Sequence, residues 1–293
     1  MADKYLQKEG DFAGVASGKL VTMQIPTKFT SHGLYIVCNK AGGPMTEAEI
    51  SSPTTSVGHV GRIRVTINSK KTGEGTIDLF DGTAEDAFAL HKWANAGKAV
   101  YTPAGVIPIP FTRDRLPFGI KPDALSIGMA DVTTFTVQVQ LGTPTTFIMT
   151  GMSLLNEIDK GPIKPLGEHL RVSSWPRLFA TTGKENVLDL PYGEPGTALL
   201  AYHIKSGTSA HGIIDLSCKH DGENVYEDLV DSVNTLIQAQ AGRTPQAGWY
   251  HVDFQRWNGL LPMNVKSFQQ IINWGTAPNN YRIICEMVHG LQV

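Results

Sequence analysis

The chain has 293 residues, of which 41% are hydrophobic and 18% charged, and its formal net charge is −2. That length holds two domains of roughly 130 residues, each able to bury a core of its own. The densest basic stretch is the pair Lys70-Lys71, so the basic face that a direct nucleic-acid binder needs is missing, and contact with nucleic acid is not expected.

Residues 1–18 are polar, carry Gly and Ala, and show no strong period; they predict a tail. Lys19 to Phe29 alternates through Leu20, Val21, Met23 and Ile25 and predicts a strand broken by Pro26. A short apolar strand follows at Leu34 to Cys38. Residues 39–61, rich in Gly, Pro, Ser and Thr, predict a long loop. Strands are expected at 62–68 and 76–80. Thr83-Ala84-Glu85-Asp86 then starts a helix in the manner of a capping box, with Asp in place of Glu or Gln; the helix runs to Asn95 and stops at Gly97. Strands near 99–101, 106–111, 124–129 and 133–141 complete a first domain over 19–150. Pro162 and Pro165 mark 151–169 as a connector. The second domain spans 170–293. In its helix, Val225, Leu229, Val230, Val233, Leu236 and Ile237 fall on one face. Strands near 248–254, 268–274 and 280–288 close it.

The two halves echo each other. Ile63-x-Val65-x-Ile67-x-Ser69 with Gly75-x-Ile77-Asp78-Leu79 returns as Leu200-x-Tyr202-x-Ile204-x-Ser206 with Gly212-x-Ile214-Asp215-Leu216, without a gap, at an offset of 137. Asp81-Gly82 and Asp221-Gly222, Ala96-Gly97 and Ala241-Gly242, Ile109-Pro110-Phe111 and Val252-Asp253-Phe254, Leu116-Pro117 and Leu261-Pro262, and Phe135 to Val139 and Tyr281 to Cys285 extend the match, the offset settling at 143 to 146. A repeat this long is two domains rather than a solenoid. Many short strands and one sizeable helix per copy predict an all-β chain of two tandem eight-stranded jelly-roll sandwiches, each with one inserted helix. A doubly wound α/β fold would need many more helices.

Active-site text is missing. Ala13-Gly14-Val15-Ala16-Ser17-Gly18-Lys19-Leu20 lacks the first Gly and the final hydroxyl of a phosphate-binding loop. No G-x-S-x-G nucleophile elbow occurs; Ser153 follows Gly151-Met152 but precedes Leu154-Leu155. The histidines (His32, His59, His91, His169, His203, His211, His220, His251 and His289) include no H-x-H pair of the kind a cupin metal site uses. Two acidic clusters could attract calcium: Asp78, Asp81, Glu85 and Asp86, and Asp215, Asp221, Glu223, Glu227 and Asp228. Helix capping and the helix dipole already account for acids at a helix start, and neither cluster fits an EF-hand loop. Nothing marks the facing carboxylates of a glycosidase. Trp175, Trp249, Trp257 and Trp274 would serve either as core or contact residues or as a sugar platform. Cys38, Cys218 and Cys285, odd in number and widely spaced, are expected as free, buried thiols made in a reducing compartment. Met1 to Gly18 has no apolar core of a signal peptide, and no apolar run reaches the roughly 20 residues of a membrane-spanning helix, so a soluble protein made in a cytoplasm is expected.

The whole pattern resembles the double jelly-roll major capsid proteins of tailless, membrane-containing icosahedral DNA phages, and the corticovirus type most. The likeness is strongest in Leu170-Arg-Val-Ser-Ser-Trp175, Val187-Leu-Asp-Leu-Pro191 and Leu199-Leu-Ala-Tyr-His-Ile-Lys205 and in the acidic helix after them. The resemblance implies a structural protein of the virion, made in the host cytoplasm, whose homotrimers form pseudo-hexagonal tiles. It implies contacts with neighbouring tiles, with a vertex protein and with a nearby internal membrane, sometimes with bound cations. It assigns no catalytic, cofactor or metal residue, and makes 1–18 a candidate contact arm. Two other functions fit a double sandwich: glycan binding or cleavage through Trp249 and Trp257, and a metal-dependent bicupin enzyme.

Overall fold

The computed structural model describes residues 4–51, 58–70, 75–94, 104–112, 122–207, 210–254 and 260–290. These fall into two compact units. The described residues up to Lys92, those of 104–112 and those from 122 to Ser173 form the first; Trp93, Ala94 and the described residues from Ser174 onward form the second.

In chain order the first series of elements is β1 (Lys4–Asp11), β2 (Leu20–Gln24), β3 (Thr30–Lys40), the two-residue β4 (Gly43–Pro44), α1 (Glu47–Ser51), β5 (Val60–Ser69), β6 (Thr76–Thr83), α2 (Ala84–Ala94), β7 (Val106–Pro110), β8 (Val132–Leu141) and β9 (Met149–Asp159). β10 (His169–Phe179) begins the second series. It continues with β11 (Gly183–Val187), β12 (Ala198–Lys205), β13 (Ile213–His220), β14 (Glu223–Val230), α3 (Asp231–Gln240), β15 (Trp249–Asp253), the two-residue β16 (Leu261–Pro262), β17 (Phe268–Trp274) and β18 (Asn279–His289). Among the described residues, and leaving out β4 and β16, each series has eight strands. The first builds sheets β1-β9-β3-β7 and β2-β8-β5-β6; the second builds β10-β18-β12-β15 and β11-β17-β13-β14. In both, the order is first-eighth-third-sixth against second-seventh-fourth-fifth, which is the jelly roll. The helix follows the fifth strand each time.

Alternation places the cores. In the first unit Leu34, Ile36, Cys38, Met152 and Leu154 are buried on one sheet, and Ile63, Val65, Ile67, Phe135, Val137 and Val139 on the other. Phe111, just past β7, meets Phe135 across the gap with ring centroids 6.1 Å apart. In the second unit one core gathers Tyr202 and Ile204 of β12, Tyr250 and Val252 of β15, and Ile283 and Cys285 of β18 against Leu216, Cys218, Ile272 and Trp274 of the facing sheet. Gly105 sits at φ +78°, and a Cβ there would come within 2.7 Å of the Cys38 carbonyl oxygen; the Cys38 amide donates to the Gly105 carbonyl at 2.6 Å. Only glycine fits this approach.

Several sequence expectations need correction. Residues 1–18 are not wholly a tail, because β1 pairs antiparallel with β9 from Lys4↔Asp159 to Asp11↔Ser153. It is an edge strand with five of eight residues exposed, so it carries no apolar alternation to read. The stretch 151–169 is not wholly connector, since it opens with most of β9, whose alternation of Met152, Leu154 and Ile158 is core-facing. Residues 39–61 are not all loop. Thr46 and Glu49 form a true capping box, the Thr46 amide donating to Glu49 Oε2 at 2.7 Å and the Glu49 amide to Thr46 Oγ1 at 3.3 Å, and α1 follows. The Lys40 ammonium, 2.6 Å away, and the Thr46 amide hold the Glu49 carboxyl down to about 2. In place of a strand at 124–129 there is a 3-10 turn over Pro122–Leu125 and a single bridge between Ile127 and Ser31. The strand expected at 99–101 lies outside the described residues.

The gap-free echo is real in pattern but slips by one strand. It aligns β5 and β6, fourth and fifth in their series, with β12 and β13, third and fourth in theirs. β5 and β6 pair with each other, whereas β12 and β13 lie in different sheets. Likewise Phe135 to Val139 is in the seventh strand and Tyr281 to Cys285 in the eighth. Alternating β-branched residues identify a strand without saying which strand. The match of Ile109-Pro110-Phe111 with Val252-Asp253-Phe254 is in register, sixth strand on sixth.

Candidate functional site

Two features stand apart from the cores. The first is an exposed edge and helix face in the second unit. β13 and β14 form a hairpin closed by Asp221 (φ 51°) and Gly222 (φ 85°), with His220 opposite Glu223; two positive φ values suit the twist of a tight hairpin. β14 ends its sheet and runs straight into α3. From Asp221 to Gln240 the sequence has five carboxylates (Asp221, Glu223, Glu227, Asp228 and Asp231) and no Lys or Arg. α3 is turned the opposite way from a core helix. Asn234 and Gln238 are buried, while Val233 and Leu236 are 48% and 57% exposed, with Val230 and Ile214 exposed as well. The apolar stripe read from the sequence is thereby divided: Val225, Leu229 and Val230 belong to β14, and the helical members Val233 and Leu236 face outward.

The second feature is a buried polar layer that explains this inversion. On the face of β12, β15 and β18 opposite the core, His203, His251, Asp253 and Glu286 are all at most 2% exposed. His203 and His251 are cross-strand partners, with their Nδ1 atoms 2.8 Å apart. Since both cannot donate, one carries the proton and the other accepts. His203 Nε2 lies 3.5 Å from Glu286 Oε1. The His251 ring is stacked on Trp249, with centroids 5.7 Å apart, and on Trp93, at 5.6 Å. Trp93 Nε1 donates to Gln238 at 2.9 Å, and Asn234 donates to the His251 carbonyl at 2.7 Å. Arg243 lies over the Trp93 ring and donates from Nε to Asp253 at 3.0 Å. α3 therefore turns its amides inward because the surface beneath it is polar. Burial, followed by the neighbouring His203 and His211, holds His251 well below the usual histidine range.

Seven of the nine acids singled out for calcium have other partners. Asp78 and Asp81 accept paired bonds from Arg64 and Arg62, with donor distances of 2.5 to 3.1 Å. Asp86 takes the Thr83 amide at 2.9 Å and its own amide donates to Thr83 Oγ1 at 3.1 Å, completing the expected capping box. Asp221 accepts from the Lys266 and Ser267 backbone amides, Asp215 from Asn273 Nδ2 and Glu227 from Asn224 Nδ2, while Ser217 Oγ donates to Asp228 Oδ1 at 3.4 Å. Among the described residues no three His, Cys, Asp or Glu side chains gather as a metal site would require. Trp249 and Trp274 are buried, Trp274 donating to Glu185 at 2.8 Å, so neither offers a platform; Trp175 packs against the second core, and Trp257 lies outside the described residues. All three cysteines are buried and free, and burial pushes the thiols of Cys38 and Cys218 up to about 12. The His203–His251 pair escaped sequence reading because its members are 48 residues apart and meet only through strand register. The one local sign was polar His between core-facing Tyr and Ile or Val on both strands.

The family model "viral coat protein P2 C-terminal domain" matches residues 170–291. The whole fold is similar to the major capsid protein P2 from bacteriophage PM2, with a TM-score of 0.76 and 16% identity over 98% of this chain and 97% of that one. It is similar to the STIV MCP at 0.68 and 12%, over 98% and 97%, and to the PBCV-1 virus capsid at 0.63 and 9%, over 100% and 96%. No curated protein matches the chain by sequence. The two jelly rolls and the resemblance to double jelly-roll capsid proteins expected from the sequence are both borne out.

Proposed function

We propose that the chain is the major capsid protein of a tailless, membrane-containing icosahedral virus, made in the host cytoplasm and built into the virion shell as homotrimers. The observation that carries this reading is the match of residues 170–291 to a viral coat protein domain, set beside a first unit with the same strand order. Three such chains bring six jelly rolls to one tile, which gives a trimer a near-hexagonal outline and lets it pack beside copies of itself. The role is structural, exercised through surfaces rather than through a catalytic centre. Its partners are its own copies, neighbouring tiles and a vertex protein, with an internal membrane close by. The described residues contain no helix long and apolar enough to cross a membrane, so the reading places the chain beside lipid and assigns it no spanning helix. Light scattering coupled to size-exclusion chromatography tests it: three times the chain mass of 31.8 kDa is expected, and a single chain mass at concentrations of tens of micromolar would overturn the trimer.

A further inference from the structure

The two fifth strands, β6 and β14, are counterparts, each leading directly into its helix, yet their outer edges differ. On β6 the chain lays Val172 and Ser173 in parallel register, Val172 opposite Phe80 and Ser173 opposite Asp81; these two residues count with the first unit. β14 is last in its sheet and pairs on that side with no described strand. An exposed strand edge is a template for another strand, and proteins normally cover it or guard it with charge. Phe80 and Asp81 stand four and three residues before α2; the equivalent positions before α3 are Glu227 and Asp228, both exposed.

Val172 and Ser173 belong to β10, the first strand of its series, and the counterpart of β10 is β1. β1 is also last in its sheet. It exposes Tyr5 and Leu6 together with Lys4 and Lys8, whose side chains are 39% and 55% accessible and whose ammonium groups lie 3.9 Å from Glu157 and 2.7 Å from Asp11. The β14 edge carries the acids Glu223, Glu227 and Asp228, the chain has no Lys or Arg from Asp221 to Gln240, and the edge adjoins the exposed apolar Val230, Val233 and Leu236. β1 therefore brings two exposed lysines, which would exchange their solvent-exposed pairs with Glu157 and Asp11 for the carboxylates of β14, and two large apolar side chains to the helix face.

We infer that β1 of a second copy of this chain lies along the outer edge of β14 and the exposed face of α3, repeating what Val172 and Ser173 do on β6. Such a contact joins two different surfaces, and repeating it by a closed rotation makes a ring rather than a two-fold dimer. Adding a strand to a free edge supplies main-chain hydrogen bonds, and the flanking side chains supply specificity. The inference rests on the trimer proposed above and names the surfaces that close it.

The test uses the full chain with Lys8→Cys and Glu227→Cys together, both at exposed positions, and a short bis-maleimide that tolerates a residue or two of slip. The native thiols are buried and stay unlabelled in the folded protein. Denaturing gels should show bands at two and three chain masses for the double variant. Each single variant alone should stay at one chain mass, and an equal mixture of the two singles should stop at two. Separately, Glu227→Lys with Asp228→Lys should weaken trimerisation by about tenfold or more, and adding Lys4→Glu with Lys8→Glu should restore it. A wild-type trimer by light scattering with no inter-chain band from the double variant overturns this inference and leaves the trimer standing. A wild-type chain that stays at one chain mass overturns both.

Discussion

His251 gives the most direct handle on the buried polar layer. The groups facing it are His203 on the adjoining strand, which itself lies 3.5 Å from Glu286, then His211, Trp249, and Trp93, whose ring is covered by Arg243 with its Asp253 partner; Lys205 lies over the Trp249 ring. No carboxylate bonds its Nε2, which is buried without a partner. At 2.8 Å from His203, two charged rings would repel by about 6 kcal/mol even at an effective dielectric constant of 20. The fold therefore holds His251 neutral, and its folded pKa lies below the unfolded value of about 6.5. The sign follows from linkage. Above pH 6.5 neither state binds the proton and stability is full. As pH falls below 6.5 only the unfolded chain gains it, so stability is lost until the folded pKa is reached. One such proton costs about 1.4 kcal/mol between pH 7.5 and 5.5. In His251→Phe a ring remains between the two indoles but the titration is gone. The variant should be weaker by about 1–3 kcal/mol at pH 7.5, because His203 loses its partner, and this deficit should shrink by about 1.4 kcal/mol at pH 5.5. Urea unfolding followed by tryptophan fluorescence across that range measures it. Parallel pH profiles, or a deficit that widens in acid, would refute the reasoning.

Two further outcomes are expected. Gly105→Ala should destabilise the first unit by at least about 1–2 kcal/mol from the left-handed backbone alone. The close approach to the Cys38 carbonyl and Pro44 adds to this, for a fall in melting temperature of roughly 4–8 °C. Gly151→Ala, whose Cβ meets nothing within 4 Å, should leave melting nearly unchanged in the same calorimetric scan. Cys38, Cys218 and Cys285 should all resist an aromatic disulfide reagent at pH 8 in the folded protein and react together on adding denaturant; a fast-reacting thiol in the native state would contradict their burial.

How much was legible in the sequence follows from where the signal comes from. Core strands such as β5 and β8 alternate in Val, Ile and Phe because one face of each is buried, and they are read correctly. β1 fails to announce itself because an edge strand exposes Tyr5, Leu6 and both lysines. β9 was hidden behind the prolines that follow it, although Met152, Leu154 and Ile158 alternate as a strand should. The Thr83–Asp86 box is legible because capping is local; the equivalent Thr46–Glu49 box is masked by the loop-rich residues around it. α3 misleads because its apolar residues are outside and its amides inside, a reversal dictated by His203, His251 and Glu286 on strands remote in sequence. No local pattern records that pairing, which depends on the register His203↔His251. The same holds for the duplication: its existence is written in the sequence, but its strand-by-strand register appears only when sheet order is known.

Class averages of the purified protein by electron microscopy test the central claim most directly. Two jelly rolls per chain and three chains per particle predict a closed tile with six lobes arranged in a near-hexagonal outline, showing three-fold symmetry. Particles with two lobes, or a two-fold dimer with four, would contradict the assignment as a trimeric shell protein.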